Sequence, residues 1–192
     1  MKNIRARHIA SVFGIVIALF AFVYGSYKPF IKSQRFIHGL QQLQVIRSMS
    51  AFKEAFDPVF SFSSPVGEEE AAKFLSYDIL GIIRQPGQSE EVARGLVEYI
   101  EPYIEKTDVR HLLSLGQMYV ILWNAYGHEA DYVIAERYYR DALAMGPKLP
   151  PVLFALFTLY QQRGDSEKLN EIALTIKAYW PEAIHETVRG EQ

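Results

Sequence analysis

Residues 117–149 read QMYVILWNAYGHEADYVIAERYYRDALAMGPKL, and residues 150–183 read PPVLFALFTLYQQRGDSEKLNEIALTIKAYWPEA. The two superpose at a step of 34 residues: Leu122 on Leu156, Tyr126 on Tyr160, Asp131 on Asp165, Pro147 on Pro181. A fixed step of that size marks stacked helical hairpins, each of two helices of about a dozen residues and two short turns. Ala135 and Ala142 let the second helix approach the first, and Tyr139 fills the space beside them. Gly127–Asp131 and Gly164–Asp165 supply the turns. Pro147 and Pro181 forbid helix continuation at fixed points.

The first of these units, preceded by Gly116, resembles the tetratricopeptide repeat (TPR). Tyr119, Leu122 and Tyr126 take the family's large apolar positions in the first helix. Ala135, Tyr139 and Ala142 take the small–large–small set in the second, and Pro147 closes the unit. Trp123 stands where the family has a small residue. In the second unit Leu153, Leu156, Tyr160, Gly164 and Pro181 match, while Leu169, Ala173 and Ile176 change the size order. A terminal repeat departs in this way because one of its faces has no neighbour. The resemblance spans residues 116–183 and implies an all-α fold of TPR-like stacked hairpins, a right-handed α-solenoid, with two repeats over residues 116–190. By the family's geometry the first helix of each unit lines a concave groove. That places Gln117, Val120, Asn124 and His128 in the groove from one unit, and Phe154, Thr158, Gln161 and Gln162 from the other. A polar groove with few apolar points fits an uncharged peptide or helix of a partner protein. The family's clamp for carboxylate-ended peptides needs Lys, Arg and Asn in the groove, and only Asn124 answers.

Residues 9–27, IASVFGIVIALFAFVYGSY, contain no charged side chain. That length approaches the roughly 20 helical residues that cross a bilayer, and Tyr24 and Tyr27 sit where amphipathic aromatics favour the interface. The expectation is a transmembrane helix after a short flank, residues 1–8. Lys2, Arg5 and Arg7 precede it, and Lys28, Lys32 and Arg35 follow it, so side-chain charge alone does not orient it. The α-amino group tips the N-terminus inward, leaving the C-terminal part outside the cytoplasm. The competing reading is a signal peptide cut before Ser26, with Val23 and Gly25 as the small residues, yielding a secreted soluble repeat protein.

A juxtamembrane helix and loop fill residues 28–66. Phe36, Leu40, Leu43 and Ile46 trace an apolar stripe through a helix from Ile31 to Phe56, with a break near Pro29 and a stop at Asp57-Pro58. Phe60–Gly67 reads as a loop whose aromatics, Phe60 and Phe62, tuck under the domain. Residues 67–115 read as degenerate capping helices. Glu68, Glu69 and Glu70 open one, with Phe74, Leu75, Ile79, Ile82 and Ile83 on its buried side and Gln85-Pro86-Gly87 at its end. Ser89 caps the next, which runs through Val92, Leu96 and Ile100 until Pro102; Asp108 caps the one after.

From Lys28 onward the order of features is similar to the C-terminal tail of O-antigen ligase-like membrane proteins of bacteria. Tyr27-Lys28-Pro29-Phe30, Arg35–Leu43, Phe52-Lys53-Glu54-Ala55 and Ser64-Pro65-Val66-Gly67-Glu68-Glu69 carry the likeness. It implies a bacterial cell membrane and a tail or accessory subunit that partners a polytopic glycan-assembly protein.

The chain has 192 residues, a net charge of −2 and no cysteine. It is long enough for one soluble domain with a real core beside the span. No basic stripe interleaved with aromatics points to nucleic acid, and disulfide and thiolate chemistry are excluded. His8, His38, His111, His128 and His185 form no HExxH and no metal-ligand pair at helical spacing. His128-Glu129 reads as a solvated turn, and Glu98, Glu101 and Glu105 as a solvent-facing helix side. With no phosphate loop, nucleophile elbow or metal cluster in the sequence, the expectation is a binding scaffold without catalytic activity, cofactor or metal.

Overall fold

A computed structural model describes residues 2–43, 46 and 48–181. Among them every regular element is helical: α1 (Lys2–Phe22), α2 (Lys28–Gln42), α3 (Met49–Phe60), α4 (Glu68–Ile83), α5 (Glu90–Ile100), α6 (Val109–Tyr126), α7 (Glu129–Met145), α8 (Pro150–Arg163) and α9 (Ser166–Tyr179). The chain divides into two compact units, Met1–Phe74 and Leu75–Gln192, with the boundary inside α4.

In the first unit, α1 passes through a π-turn, Val23–Tyr27, into α2 without a break. Pro29 does not interrupt the helix as its sequence position predicts. A proline ring clashes with the carbonyl four residues back, here that of Gly25. The π-turn widens the backbone at that point, where the Lys28 N–H bonds to the Val23 carbonyl five residues away. The continuous helix from Ala10 to Gln42 is long and apolar enough to cross a membrane. A single helix from Ile31 to Phe56 does not form. α2 ends at Gln42, and α3 starts anew because the Ser48 side chain accepts the Ala51 N–H at 3.2 Å. Pro58 lies inside the last turn of α3 rather than ending it. α3 packs on α2 through Phe52, Phe56, Val59 and Phe60, all buried. Gly39 permits the approach: a Cβ there would lie 3.0 Å from the Phe56 ring and 3.2 Å from the Ala55 carbonyl.

The loop after α3 is held from α2. Lys32, only 2% exposed, donates to the Phe62 carbonyl at 3.2 Å and pairs with Glu68 at 3.5 Å. Arg35 donates to the Pro58 carbonyl at 2.9 Å and stacks 4.4 Å from the Phe62 ring. These two cations, counted in the sequence as flanks of the span, are thus committed to protein. Phe60 is buried as expected, as the last residue of α3. On α4 the buried stripe runs through Ala71, Ala72, Leu75, Ile79 and Ile83. Phe74, read as buried, lies off that stripe and is 55% exposed.

The second unit alternates helices joined by tight turns, α6 against α7, α7 against α8, α8 against α9. The boundary at residue 116 falls inside α6, which starts at Val109 because Asp108 caps it, accepting the Arg110 N–H at 2.7 Å. Gly116 is the point of closest approach in this hairpin. A Cβ there would meet the Tyr139 ring at 2.3 Å, so the small residue sits here and Trp123 packs tilted on Tyr132, ring centroids 5.2 Å apart.

The 34-residue register holds at some helix positions and is lost at others, Ala135 and Tyr139 being buried while Leu169 and Ala173 are only half-buried, and it slips at the turns. Tyr119 and Leu122 are buried, as are Leu153 and Leu156; Tyr138 and Ala142 are buried, as are Ile172 and Ile176. The left-handed glycines that end the first helices, Gly127 and Gly164, both at φ 76°, are however 37 residues apart. Position 161, where the step of 34 would turn, holds Gln, and Gln161, Gln162 and Arg163 carry α8 on to the next residue that tolerates positive φ. Tyr126 and Tyr160 are therefore not equivalent. Tyr126 directly precedes its glycine and donates to the Gln88 carbonyl at 3.0 Å; Tyr160 lies four residues before its glycine, buried, and donates to Glu136 at 3.0 Å. Asp131 and Asp165 differ likewise: Asp165 caps α9, whereas Asp131 lies in the first turn of α7.

Candidate functional site

α6 and α8 are the first helices of their hairpins, and their unburied residues form the candidate surface. Gln117 and Asn124 are two turns apart on one side of α6, and both are exposed. Thr158, Gln161 and Gln162 are exposed on α8. Asn124 donates its amide to the Gln162 carbonyl oxygen at 3.3 Å, joining the two helices. Val120 and Phe154 instead pack half-buried against the core of Leu153, Leu156 and Tyr160. They join the surface to the core beneath it.

His128 belongs to a different assembly. It is the N-cap residue of α7, and its Nε2 lies 2.8 Å from Glu90 on α5. Glu90 also accepts from Arg94 at 3.0 Å and 3.2 Å, a pair one helical turn apart. Arg94 in turn grips both oxygens of Asp131 at 2.9 Å, a bidentate fork of the strongest geometry available to the pair. Asp131 is 1% exposed. The hydrogen bond from His128, then that from Arg94, holds the Glu90 carboxyl below its ordinary range. Arg163 on α8 closes on Glu129 at 2.8 Å. The start of α7 is thereby tied to α5 on one side and to α8 on the other. The sequence signals the Glu90–Arg94 spacing; nothing local signals that Asp131 is buried.

Two further carboxylates act as nodes. Glu101 does not share a helical face with Glu98 and Glu105. Pro102 turns the chain into a 3-10 turn, Glu101–Tyr103, so α5 ends at Ile100. Glu101 then accepts from Tyr119 at 2.6 Å, from Tyr138, and from Lys106 at 3.3 Å. Burial alone would raise its pKa; the hydrogen bonds from Tyr119, Tyr138 and Lys106 outweigh that and lower it. Glu136 repeats the arrangement with Tyr160 at 3.0 Å, Lys168 at 2.8 Å and Arg140 at 2.9 Å. Its pKa is lowered too: burial pushes it up, and the bonds from Lys168, Arg140 and Tyr160 more than reverse that. Burial pushes the phenols of Tyr119 and Tyr160 up, and their carboxylate partners add to it. Groups so fully engaged with one another hold helices in register. On α6 and α8, by contrast, Gln117, Thr158 and Gln161 are exposed.

Comparison with protein-family models, with curated proteins and with solved structures gives no match.

Proposed function

We propose that the chain is a membrane-anchored, TPR-like scaffold that binds a peptide or helix of another protein on the first-helix face of its hairpins. The observation that carries the reading is the row of exposed amides and hydroxyl on α6 and α8, Gln117, Asn124, Thr158, Gln161 and Gln162, on helices whose other faces are packed. Amide side chains offer both donors and acceptors, as an uncharged backbone requires. The apolar helix from Ala10 to Gln42 supports the anchor.

A photo-crosslinking residue placed at Gln117 or Gln161 in the membrane-bound chain should capture a partner that the same residue at Arg137, on α7, does not. Asn124→Glu with Gln161→Glu should abolish the capture. Equal capture at Arg137, or capture untouched by the double substitution, refutes the groove. Release of the chain by alkaline carbonate, or a mature N-terminus at Ser26, refutes the anchor.

A further inference from the structure

We propose that the α7–α8 turn and the end of α9 form a second contact with lipid, a surface patch that docks on anionic headgroups with its aromatic and aliphatic side chains at the acyl boundary. The inference rests on the reading that α1 holds the chain at a bilayer.

The patch is built on Lys148. Its carbonyl accepts the Trp180 indole N–H at 3.1 Å, and its ammonium lies 4.9 Å from the centre of the Tyr179 ring. One residue on, Leu149 lines a cleft of about 560 Å³ together with Met145, and both rest beside Leu113 and Val152. Met145, Leu149, Tyr179 and Trp180 are 48%, 44%, 46% and 44% exposed. Met145 and Leu149 on the cleft, and Tyr179 and Trp180 against Lys148, thus expose large apolar groups on either side of one turn, and gathered apolar exposure of this kind marks contact surfaces.

Charge selects the occupant. Around the turn and the end of α9, residues 142–151 and 172–181 contain Lys148 and Lys177 and no Asp or Glu; the next carboxylate, Glu182, lies outside the described residues. Neither Lys148 nor Lys177 has an ion-pair partner among the described residues. The one acid in the cleft, Asp108, is neutralised by Arg110 at 2.6 Å. Two copies meeting through this patch would set Lys148 and Lys177 against like charge, which disfavours self-association. An anionic lipid surface satisfies both halves of the patch, since Trp and Tyr favour the interfacial layer and lysines favour acidic headgroups. The end of the apolar run in α1 uses the same pairing, with Lys28 over the Tyr24 ring at 4.6 Å.

Trp180 is one of only two tryptophans, so Trp123→Phe makes it the sole emitter. The full chain carrying that change is placed in nanodiscs of phosphatidylcholine with or without phosphatidylglycerol, with native or dibrominated acyl chains, its helicity checked by circular dichroism. Brominated chains should quench Trp180 roughly twofold or more, and more strongly with phosphatidylglycerol present. Adding Lys148→Glu and Lys177→Glu should remove both effects. A chain retained in the discs whose Trp180 emission is indifferent to bromine overturns this inference alone. Quenching that the two glutamates leave intact overturns it too, as does quenching that appears only when several chains share a disc. A chain that does not co-purify with discs overturns the anchor on which the inference stands.

Discussion

Gly116→Ala tests the packing of the α6–α7 hairpin at its tightest point. The added Cβ would sit 2.3 Å from Cε1 and 2.5 Å from Cδ1 of Tyr139, inside van der Waals contact with a ring that is itself buried. Overpacking of this kind costs about 1–3 kcal/mol. Replacing glycine by alanine within a helix returns roughly 0.5–1 kcal/mol. The net expectation is a loss of about 1–2 kcal/mol, which lowers the melting temperature by roughly 2–8 °C for a chain of this size. The assay is urea unfolding of the full chain in mild detergent, followed by tryptophan fluorescence and helical circular dichroism. Tyr139→Leu separates the clash from other effects. Alone it opens a void; combined with Gly116→Ala the new methyl occupies part of that void. The double variant should therefore be more stable than the sum of the single losses by about 1 kcal/mol or more. Strict additivity, or a stabilising Gly116→Ala, would show that α6 and α7 do not approach closest here.

Asp131→Asn keeps the shape but weakens the fork with Arg94, and should cost about 2 kcal/mol, tempered because Arg94 retains Glu90; hydrogen exchange at the start of α7 should accelerate, and unchanged exchange would refute the tie. Glu101 and Glu136 have lowered folded-state pKa values, so their contribution is complete above the unfolded value of about 4.3 and is lost as pH falls through the folded values. Urea midpoints should therefore be level between about pH 7 and 5 and drop in acid, with a shallower drop for Glu101→Gln with Glu136→Gln; an identical acid profile in the variant would refute the assignment. Lys32→Met removes the donor to Phe62 and the partner of Glu68, and should raise proteolysis between residues 61 and 67 by roughly threefold or more.

Helix identity and caps were legible wherever the signal was local. Ser89 accepts the Val92 N–H at 3.4 Å and Asp108 caps α6, as their spacing from the following apolar residues indicates. Glu68 opens α4, and Pro102 closes α5. The failures arise where backbone geometry or a distant contact, and not side-chain type alone, sets the outcome. Pro29 reads as a break because the compensating π-turn has no propensity signature. The split between α2 and α3 depends on the Ser48 cap and on Gly39 meeting Phe56, residues far apart in sequence. The 34-residue step matches some of the buried side chains, such as Leu122 with Leu156, but not where the turn falls, since a turn waits for a glycine. On the candidate surface, exposure of Gln117, Asn124, Thr158, Gln161 and Gln162 follows from helical spacing. The engagement of His128 by Glu90 does not, because it depends on how α5 lies beside α7.

The π-turn at Val23–Tyr27 makes one residue surplus to the helical count. Side chains before and after it belong to two angular frames offset by that residue, so a face traced along α1 does not extend by simple counting into α2. Lys32 and Arg35 meet the loop after α3 from a face set by that fixed offset. Deleting Gly25 would restore ordinary winding and force the Pro29 ring against a carbonyl, so the arm's offset bearing and its proline stand or fall together.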